Sequence, residues 1–111
     1  MSPKTYAGEF EQMVLLAVMQ LEEHGYALSI RRQIEERASR PVSRGALYRT
    51  LDRLEDKGFL EWSLEEETPE RGGHPRRRFR VTENGVEMLR TSRAALFNLW
   101  DGLDAVLGGK P

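Results

Sequence analysis

The spacing of apolar residues along the first half of the chain predicts three helices. Between residues 9 and 22 apolar positions recur every three or four residues and are nearly continuous in the middle, which predicts a helix buried on most sides and ended by Gly25. A second helix fits residues 26–38, with one apolar stripe and one charged stripe. A third begins at Ser43, a residue type that caps helix N-termini, and stops at Gly58.

From Phe59 onward the hydrophobic period changes from helical spacing to two. Residues 60–65 alternate apolar and polar side chains, and Phe79 and Val81 alternate with arginines. The segment between them, residues 68–75, consists largely of turn formers. These features predict a β-hairpin with a long tip.

A last helix is predicted over residues 83–107, from Thr82 as N-cap to the glycines at 108 and 109. Its apolar side chains form one seam at alternating spacings of three and four, which only Arg93 interrupts and which Phe97 widens. The seam residues are Val86, Leu89, Leu96, Trp100, Leu103 and Leu107. A seam that follows a complete small domain needs a cover, and a second copy is the simplest one. Packing against the chain's own first helix is the alternative.

The order of elements is typical of a winged helix-turn-helix followed by a dimerisation helix. The expected fold class is therefore mainly α with a small β-hairpin. Residues 1–82 would form the DNA-binding domain and residues 83–111 the dimerisation helix. In such domains the third helix enters the major groove of DNA.

Charge and composition narrow the function. The chain has 17 Lys and Arg against 18 Asp and Glu, yet residues 31–80 carry 13 basic side chains, 12 of them Arg, against ten acidic ones. The absence of cysteine excludes disulfides, thiolate zinc sites and thiol catalysis. His24 and His74 lack a metal-ligand spacing, and no nucleophile is paired with a base. We therefore expect a protein that is not an enzyme and that binds no cofactor or metal. We also expect it to be cytoplasmic, because no signal sequence or membrane span is evident.

The predicted third helix carries the chemistry that suits DNA. On a helical wheel its leucines share one face, while Gly45, Tyr48, Arg49 and Asp52 lie opposite and Arg44 lies on the flank. The N-terminal half of the outer face is thus basic and aromatic, as in helices that read base edges. An ordinary surface helix with charge pairs such as Arg49–Asp52 is the alternative.

The hairpin contributes a run of arginines. Arg71, Arg76 and Arg77 lie near the predicted tip, where they could contact phosphate or the minor groove. Arg78 and Arg80 share a strand face with glutamates of the facing strand, so cross-strand ion pairs are expected there.

Three motifs together resemble those of PadR-type transcriptional regulators, over about residues 10–90. They are Gly25-Tyr26, Ser43-x-Gly45-Ala-Leu-Tyr48 continuing as Leu51-x-Arg53-Leu54-Glu55-x-x-Gly58, and Arg76-Arg77-Arg78-Phe79-x-Val81-Thr82-x-x-Gly85. One departure is Arg49, where many members carry Pro. The resemblance implies a cytoplasmic bacterial repressor that dimerises through its C-terminal helix and releases DNA on sensing a small molecule. The DNA-binding residues expected from the wheel, the hairpin and the resemblance are Tyr26, Ser43, Arg44, Gly45, Tyr48, Arg49, Arg53, Arg71, Arg76 and Arg77.

The single C-terminal helix is similar to the smaller branch of that family, which includes a multidrug sensor. Trp100 and Asp104 look like the tryptophan and acid that hold a planar aromatic cation between two protomers, and Met13 and Ala17 would line the same cleft beside Phe97. Alternatively, Trp100 and Phe97 only fill the dimer interface.

The expected partners are double-stranded DNA with a palindromic operator, a second copy of the chain and a planar aromatic molecule. The alternative function is a winged-helix module for protein–protein contact, without sequence-specific DNA binding.

Overall fold

The computed structural model describes residues 7–65 and 75–108, so all of the predicted hairpin tip except Pro75, including Arg71 and His74, lies outside the described residues. The elements follow in the order α1 (Glu9–Leu21), a 3₁₀ turn (Glu22–His24), α2 (Ala27–Ala38), α3 (Arg44–Asp56), β1 (Leu60–Glu65), β2 (Arg76–Val81), α4 (Glu83–Trp100) and α5 (Asp104–Leu107). The fold is mainly α with a two-stranded antiparallel hairpin, which confirms the predicted fold class.

Local sequence signals set the N-termini of α3 and α4. The Ser43 hydroxyl accepts a hydrogen bond from the Ala46 amide at 3.1 Å, and the Thr82 hydroxyl accepts one from the Gly85 amide at 3.1 Å. Both predicted N-caps are therefore present. The first helix ends slightly earlier than predicted, because the 3₁₀ turn replaces its last residues before Gly25.

The core lies where α1 crosses α2, α3 and the hairpin. The most deeply buried side chains come from all of these elements and are Val14, Leu15, Val18, Ile30, Leu47, Leu51, Leu54 and Phe79. The first helix is less enclosed than its apolar middle predicts, since Leu16 is 48% exposed. In β1, Leu60 is buried, but Trp62 and Leu64 are 39% and 62% exposed. Strand alternation therefore continues beyond the part of the hairpin that the core covers.

The hairpin is tied to the helices through its backbone. In β2 the Phe79 amide donates to the Gly25 carbonyl oxygen at 2.8 Å, and after the strand the Thr82 amide donates to the Phe59 carbonyl at 3.0 Å. The strands pair with Trp62 opposite Phe79. These bonds place the hairpin beside the start of α2, in the position of a wing.

The predicted continuous helix over residues 83–107 is wrong. The chain turns between α4 and α5, where Asp101 is extended and Gly102 has φ +83°, a left-handed conformation that glycine adopts without strain. Leu103 and Leu107 therefore do not continue the seam of α4 along one helix axis. Leu89 and, in part, Val86 pack against the domain, whereas the later seam residues are exposed.

No helix in the described ranges is both long and apolar enough to cross a lipid bilayer.

Candidate nucleic-acid interface

Helix α3 presents its polar side to solvent, as predicted. Its leucines are buried, Tyr48 is half-buried, and the side chains of Arg44, Arg49 and Arg53 are exposed together with Gly45. The Arg49 guanidinium folds back toward the helix N-terminus and lies over Gly45. Its Nη1 atom would be only 3.1 Å from a Cβ placed on that glycine. Within the described ranges Arg49 forms no ion pair with Asp52. Its positive charge is therefore not neutralised by the acid one turn away.

Arginine–aromatic contacts join α3 and the start of α2 to the wing. The guanidinium carbon of Arg76 lies 3.5 Å from the ring centroid of Tyr26, the N-cap of α2. The ring of Tyr48 lies 5.8 Å from the Arg44 guanidinium and 6.0 Å from that of Arg77. Five residues predicted to bind DNA thus form one continuous surface, which we call the basic–aromatic face.

The basic–aromatic face encloses an open groove of about 360 Å³ between α2, α3 and the wing. The exposed apolar side chains Leu28 and Leu64 line the groove. Beside them lie Tyr26, Tyr48, Arg76 and Arg77. A surface that combines cations, aromatic rings and small apolar areas matches the phosphates and sugars of a nucleic acid strand.

Arg76 and Arg77 do not extend freely from the tip. Arg76 is the first residue of β2 and lies opposite Glu65 in the strand register, while Arg77 is half-buried. The Arg77 guanidinium lies 5.2 Å and 5.1 Å from the rings of Trp62 and Phe79. Both arginines therefore contact aromatic rings of the domain at the end of the strands that adjoins the tip.

The other strand arginines make the cross-strand ion pairs that the sequence predicts. Arg80 pairs with Glu61, and its Nε lies 2.9 Å from a carboxylate oxygen. Arg78 pairs diagonally with Glu65 at 3.0 Å. The second oxygen of Glu65 accepts a hydrogen bond from the Tyr26 hydroxyl at 2.9 Å. That last bond joins the wing to α2.

Arg53 is turned toward α1 and does not belong to the basic–aromatic face. Its Nε donates to Glu11 at 3.1 Å, and its Nη2 donates to the Thr50 hydroxyl at 3.1 Å. Lys57 Nζ and the Gly8 amide donate to the other Glu11 oxygen, both at 2.8 Å. Glu11 thus fixes the C-terminal half of α3 against α1, which no sequence motif predicted.

The surroundings of Glu11 favour its charged form. Burial by itself would raise the pKa of the Glu11 carboxyl, but the hydrogen bonds from Lys57, Gly8 and Arg53 outweigh burial and hold that pKa below its ordinary value. Glu11 therefore remains ionised at neutral pH, although its side chain is only 8% exposed.

The residues predicted to bind an aromatic effector are not assembled within one chain. Phe97 and Trp100 are 76% and 57% exposed at the end of α4. Asp104 begins α5 beyond the turn, so it does not lie one helical turn from Trp100 on a common helix. On α1, Ala17 is buried and Met13 is half-buried, with its sulfur 3.8 Å from an Arg40 nitrogen.

The end of the chain carries a large exposed apolar area, which we call the C-terminal apolar surface. It consists of Leu96, Phe97, Leu99, Trp100, Leu103, Val106 and Leu107, which are 44–82% exposed. Leu99 and Val106 were not part of the predicted seam, and they join this surface because both helices are uncovered here.

The described residues contain no group of three or more His, Cys, Asp or Glu side chains placed to hold a metal ion.

Three helices, a hairpin docked beside the second helix, and an exposed basic face on the third define a winged helix-turn-helix protein. Residues 14–91 match the model of the transcriptional regulator PadR-like family. The match covers more than half of the chain, and the chain therefore belongs to this family of transcriptional regulators.

Solved structures agree with this assignment. A PadR-like transcription factor from Bacteroides fragilis is 26% identical, with a TM-score of 0.70 over 87% of this chain and 88% of that one. A PadR family transcriptional regulator from Eggerthella lenta is 27% identical, with a TM-score of 0.67 over 92% and 88%. A PadR-like regulator from Bacillus cereus, at 22% identity and a TM-score of 0.71 over 91% and 93%, shares the fold. No match was found among curated protein sequences.

Proposed function

We propose that this protein is a homodimeric transcriptional repressor that binds a palindromic operator in double-stranded DNA and is released by a small molecule. The basic–aromatic face is the main support for this proposal, because there the exposed N-terminal half of α3 adjoins the arginines of the wing. Membership of a family of transcriptional regulators agrees with it.

Helix α3 enters the major groove with its N-terminal end. Arg44 and Arg49 are exposed there and can pair bidentately with guanine, while Tyr48 can donate to a phosphate. The Ser43 hydroxyl caps the helix as an acceptor and keeps its own proton for a phosphate oxygen. Arg53 is a secondary contact, because Glu11 already binds its guanidinium. Acidic residues lie toward the other end of α3, which favours entry by the N-terminal end.

The wing follows the DNA backbone next to α3. Arg76 and Arg77 supply positive charge where the strands adjoin the tip, and Arg71 precedes Arg76 by five residues in the sequence of the predicted tip. Contacts of this kind add affinity without reading sequence, and they make binding depend steeply on salt.

The C-terminal apolar surface supports the homodimer. Monomeric proteins rarely expose so many large apolar side chains together, and a second copy covers them with an equivalent surface. Two winged domains related by two-fold symmetry then require two half-sites on the DNA, which is why the operator is palindromic.

A planar aromatic cation is the effector that fits the residues at this interface. Trp100 from each protomer offers an exposed indole, Phe97 adds apolar area, and Asp104, the first residue of α5, supplies negative charge. Met13, which is half-buried on α1, would border the cleft, whereas Ala17 lies in the core behind it. We expect proflavine, used as a probe without DNA, to quench the fluorescence of Trp100 in a Trp62→Phe variant. Unchanged fluorescence at saturating proflavine would exclude this effector site.

Selection of duplexes from a random-sequence library tests the DNA-binding function. The protein should enrich a symmetric site with two half-sites, and Arg49→Ala should lose the enriched bases. Failure of the wild-type protein to enrich any site would contradict the proposal and favour the protein–protein module.

A further inference from the structure

Tyr26 lies at the joint between the helix-turn-helix and the wing. It is the N-cap of α2, and the residue before it, Gly25, accepts a hydrogen bond from the Phe79 amide of β2 at 2.8 Å. The approach is close, because a Cβ at Gly25 would come within 2.7 Å of the Phe79 carbonyl oxygen. A residue at this joint can set the angle at which the wing leaves the domain.

Two side-chain contacts connect Tyr26 to the hairpin. Its hydroxyl donates to Glu65 at 2.9 Å, and its ring lies 3.5 Å from the guanidinium carbon of Arg76. Glu65 is the last residue of β1, and its other oxygen pairs with Arg78 at 3.0 Å. Tyr26 therefore contacts both strands at the same level of the wing, just before the chain enters the tip.

The bond to Glu65 also commits the only proton that the Tyr26 hydroxyl can donate. While it is bound to the carboxylate, the hydroxyl cannot donate to a DNA phosphate. Glu65 itself would repel a phosphate, so a carboxylate at this place on a DNA-facing surface needs a structural reason.

We propose that Tyr26 is a positioning residue that holds the wing through Glu65 and Arg76, so that the wing and α3 meet DNA in a fixed relative orientation. This inference rests on the proposed DNA-binding function. The Tyr26 hydroxyl thus acts on DNA binding through the wing and not by direct contact with phosphate.

A double-mutant cycle separates these two roles. Tyr26→Phe keeps the ring under Arg76 and removes only the hydroxyl. In the wild-type background it should weaken binding to a selected duplex by about threefold to tenfold, the loss expected for one partly exposed hydrogen bond to a charged group. In a Glu65→Ala background the same change should cost less than about 1.5-fold, because the bond is already gone. An equal cost in both backgrounds would show direct contact with DNA and overturn the proposal.

Hydroxyl-radical footprinting shows which part of the interface changes. Tyr26→Phe should reduce protection of the backbone under the wing and leave protection of the strands beside α3 intact. Loss of protection at both places in parallel would overturn the proposal. Glu65→Gln is the conservative control, because its amide oxygen still accepts the bond, and it should keep the wing footprint.

Hydrogen exchange of the DNA-free protein distinguishes failure of this inference from failure of the proposed function. The Phe79 amide should exchange faster in Tyr26→Phe than in the wild type, whereas core amides of α1 should not change. Faster exchange supports the inference even if no duplex is selected, and unchanged exchange overturns it. Lack of DNA selectivity in the wild-type protein would instead contradict the proposed function.

Discussion

Replacement of Glu11 by Gln tests how α3 is fixed against the rest of the domain. The Glu11 side chain is 8% exposed and accepts hydrogen bonds from the Gly8 amide, Lys57 and Arg53 at 2.8, 2.8 and 3.1 Å. Glutamine keeps the shape but removes the charge, so Lys57 and Arg53 lose their ionic attraction to residue 11. Loss of one partner of a fully buried pair costs about 3–5 kcal/mol, whereas exposed pairs contribute about 0.2–1 kcal/mol.

The exposure of the two cations places the cost between these limits. Lys57 and Arg53 are 31% and 53% exposed and can turn partly toward water. We therefore expect Glu11→Gln to lower the free energy of unfolding by about 2 kcal/mol, which lowers Tm by about 10 °C in a domain of this size. The matched control is Glu9→Gln, since Glu9 is 82% exposed and 3.6 Å from Arg40, and it should change stability by less than about 0.5 kcal/mol.

The pH dependence of the same pair of proteins gives a second check. Because the pKa of Glu11 is lowered in the folded state, its stabilisation is complete above the ordinary glutamate pKa of about 4.3 and is lost as pH falls through the lower folded value. Thermal unfolding at one protein concentration should therefore show a constant Tm gap between wild type and Glu11→Gln from pH 8 to 6, and a shrinking gap below about pH 4.3. A Tm gap below about 1 °C at neutral pH, or one that widens in acid, would show that the Glu11 charge does not stabilise the fold.

Four other substitutions test the DNA contacts, the dimer interface and the packing at the start of α4. Arg49→Ala should cost about 1–3 kcal/mol on the selected duplex in anisotropy titrations and little on a scrambled one, whereas Arg76→Ala should weaken both duplexes alike. Equal losses for Arg49→Ala on both would contradict base reading. Phe97→Glu should convert the dimer into a monomer in sedimentation equilibrium, and an unchanged mass would remove the C-terminal apolar surface from the interface. Gly85→Ala should destabilise by at least about 2 kcal/mol in chemical denaturation, because its Cβ would lie 2.5 Å from the Phe59 carbonyl oxygen. A stability equal to wild type would contradict that packing.

Much of the fold could be predicted from local signals. The caps Ser43 and Thr82 and the change of hydrophobic period at Phe59 each act over a few residues, so the chain itself encodes them. The cross-strand pairs of Arg78 and Arg80 followed from strand alternation alone.

Features that depend on tertiary packing could not be predicted in this way. Glu11 accepts hydrogen bonds from Arg53 and Lys57, which follow it by 42 and 46 positions in the chain. No local pattern encodes contacts over such a separation. The stacking of Arg76 on Tyr26 depends on how the hairpin docks at Gly25. The turn at Gly102 was missed because the apolar residues keep helical spacing on both sides of it. Hydrophobic periodicity does not depend on the φ angle of one glycine.

The most direct test of the central claim is fluorescence anisotropy of the protein on the selected duplex and on a scrambled duplex of equal length, each over a range of salt concentrations. We expect affinities that differ by about 10³ or more, with log K falling linearly against log salt. We also expect two chains to bind each duplex. Equal and weak affinities for both duplexes at every salt concentration would contradict sequence-specific binding.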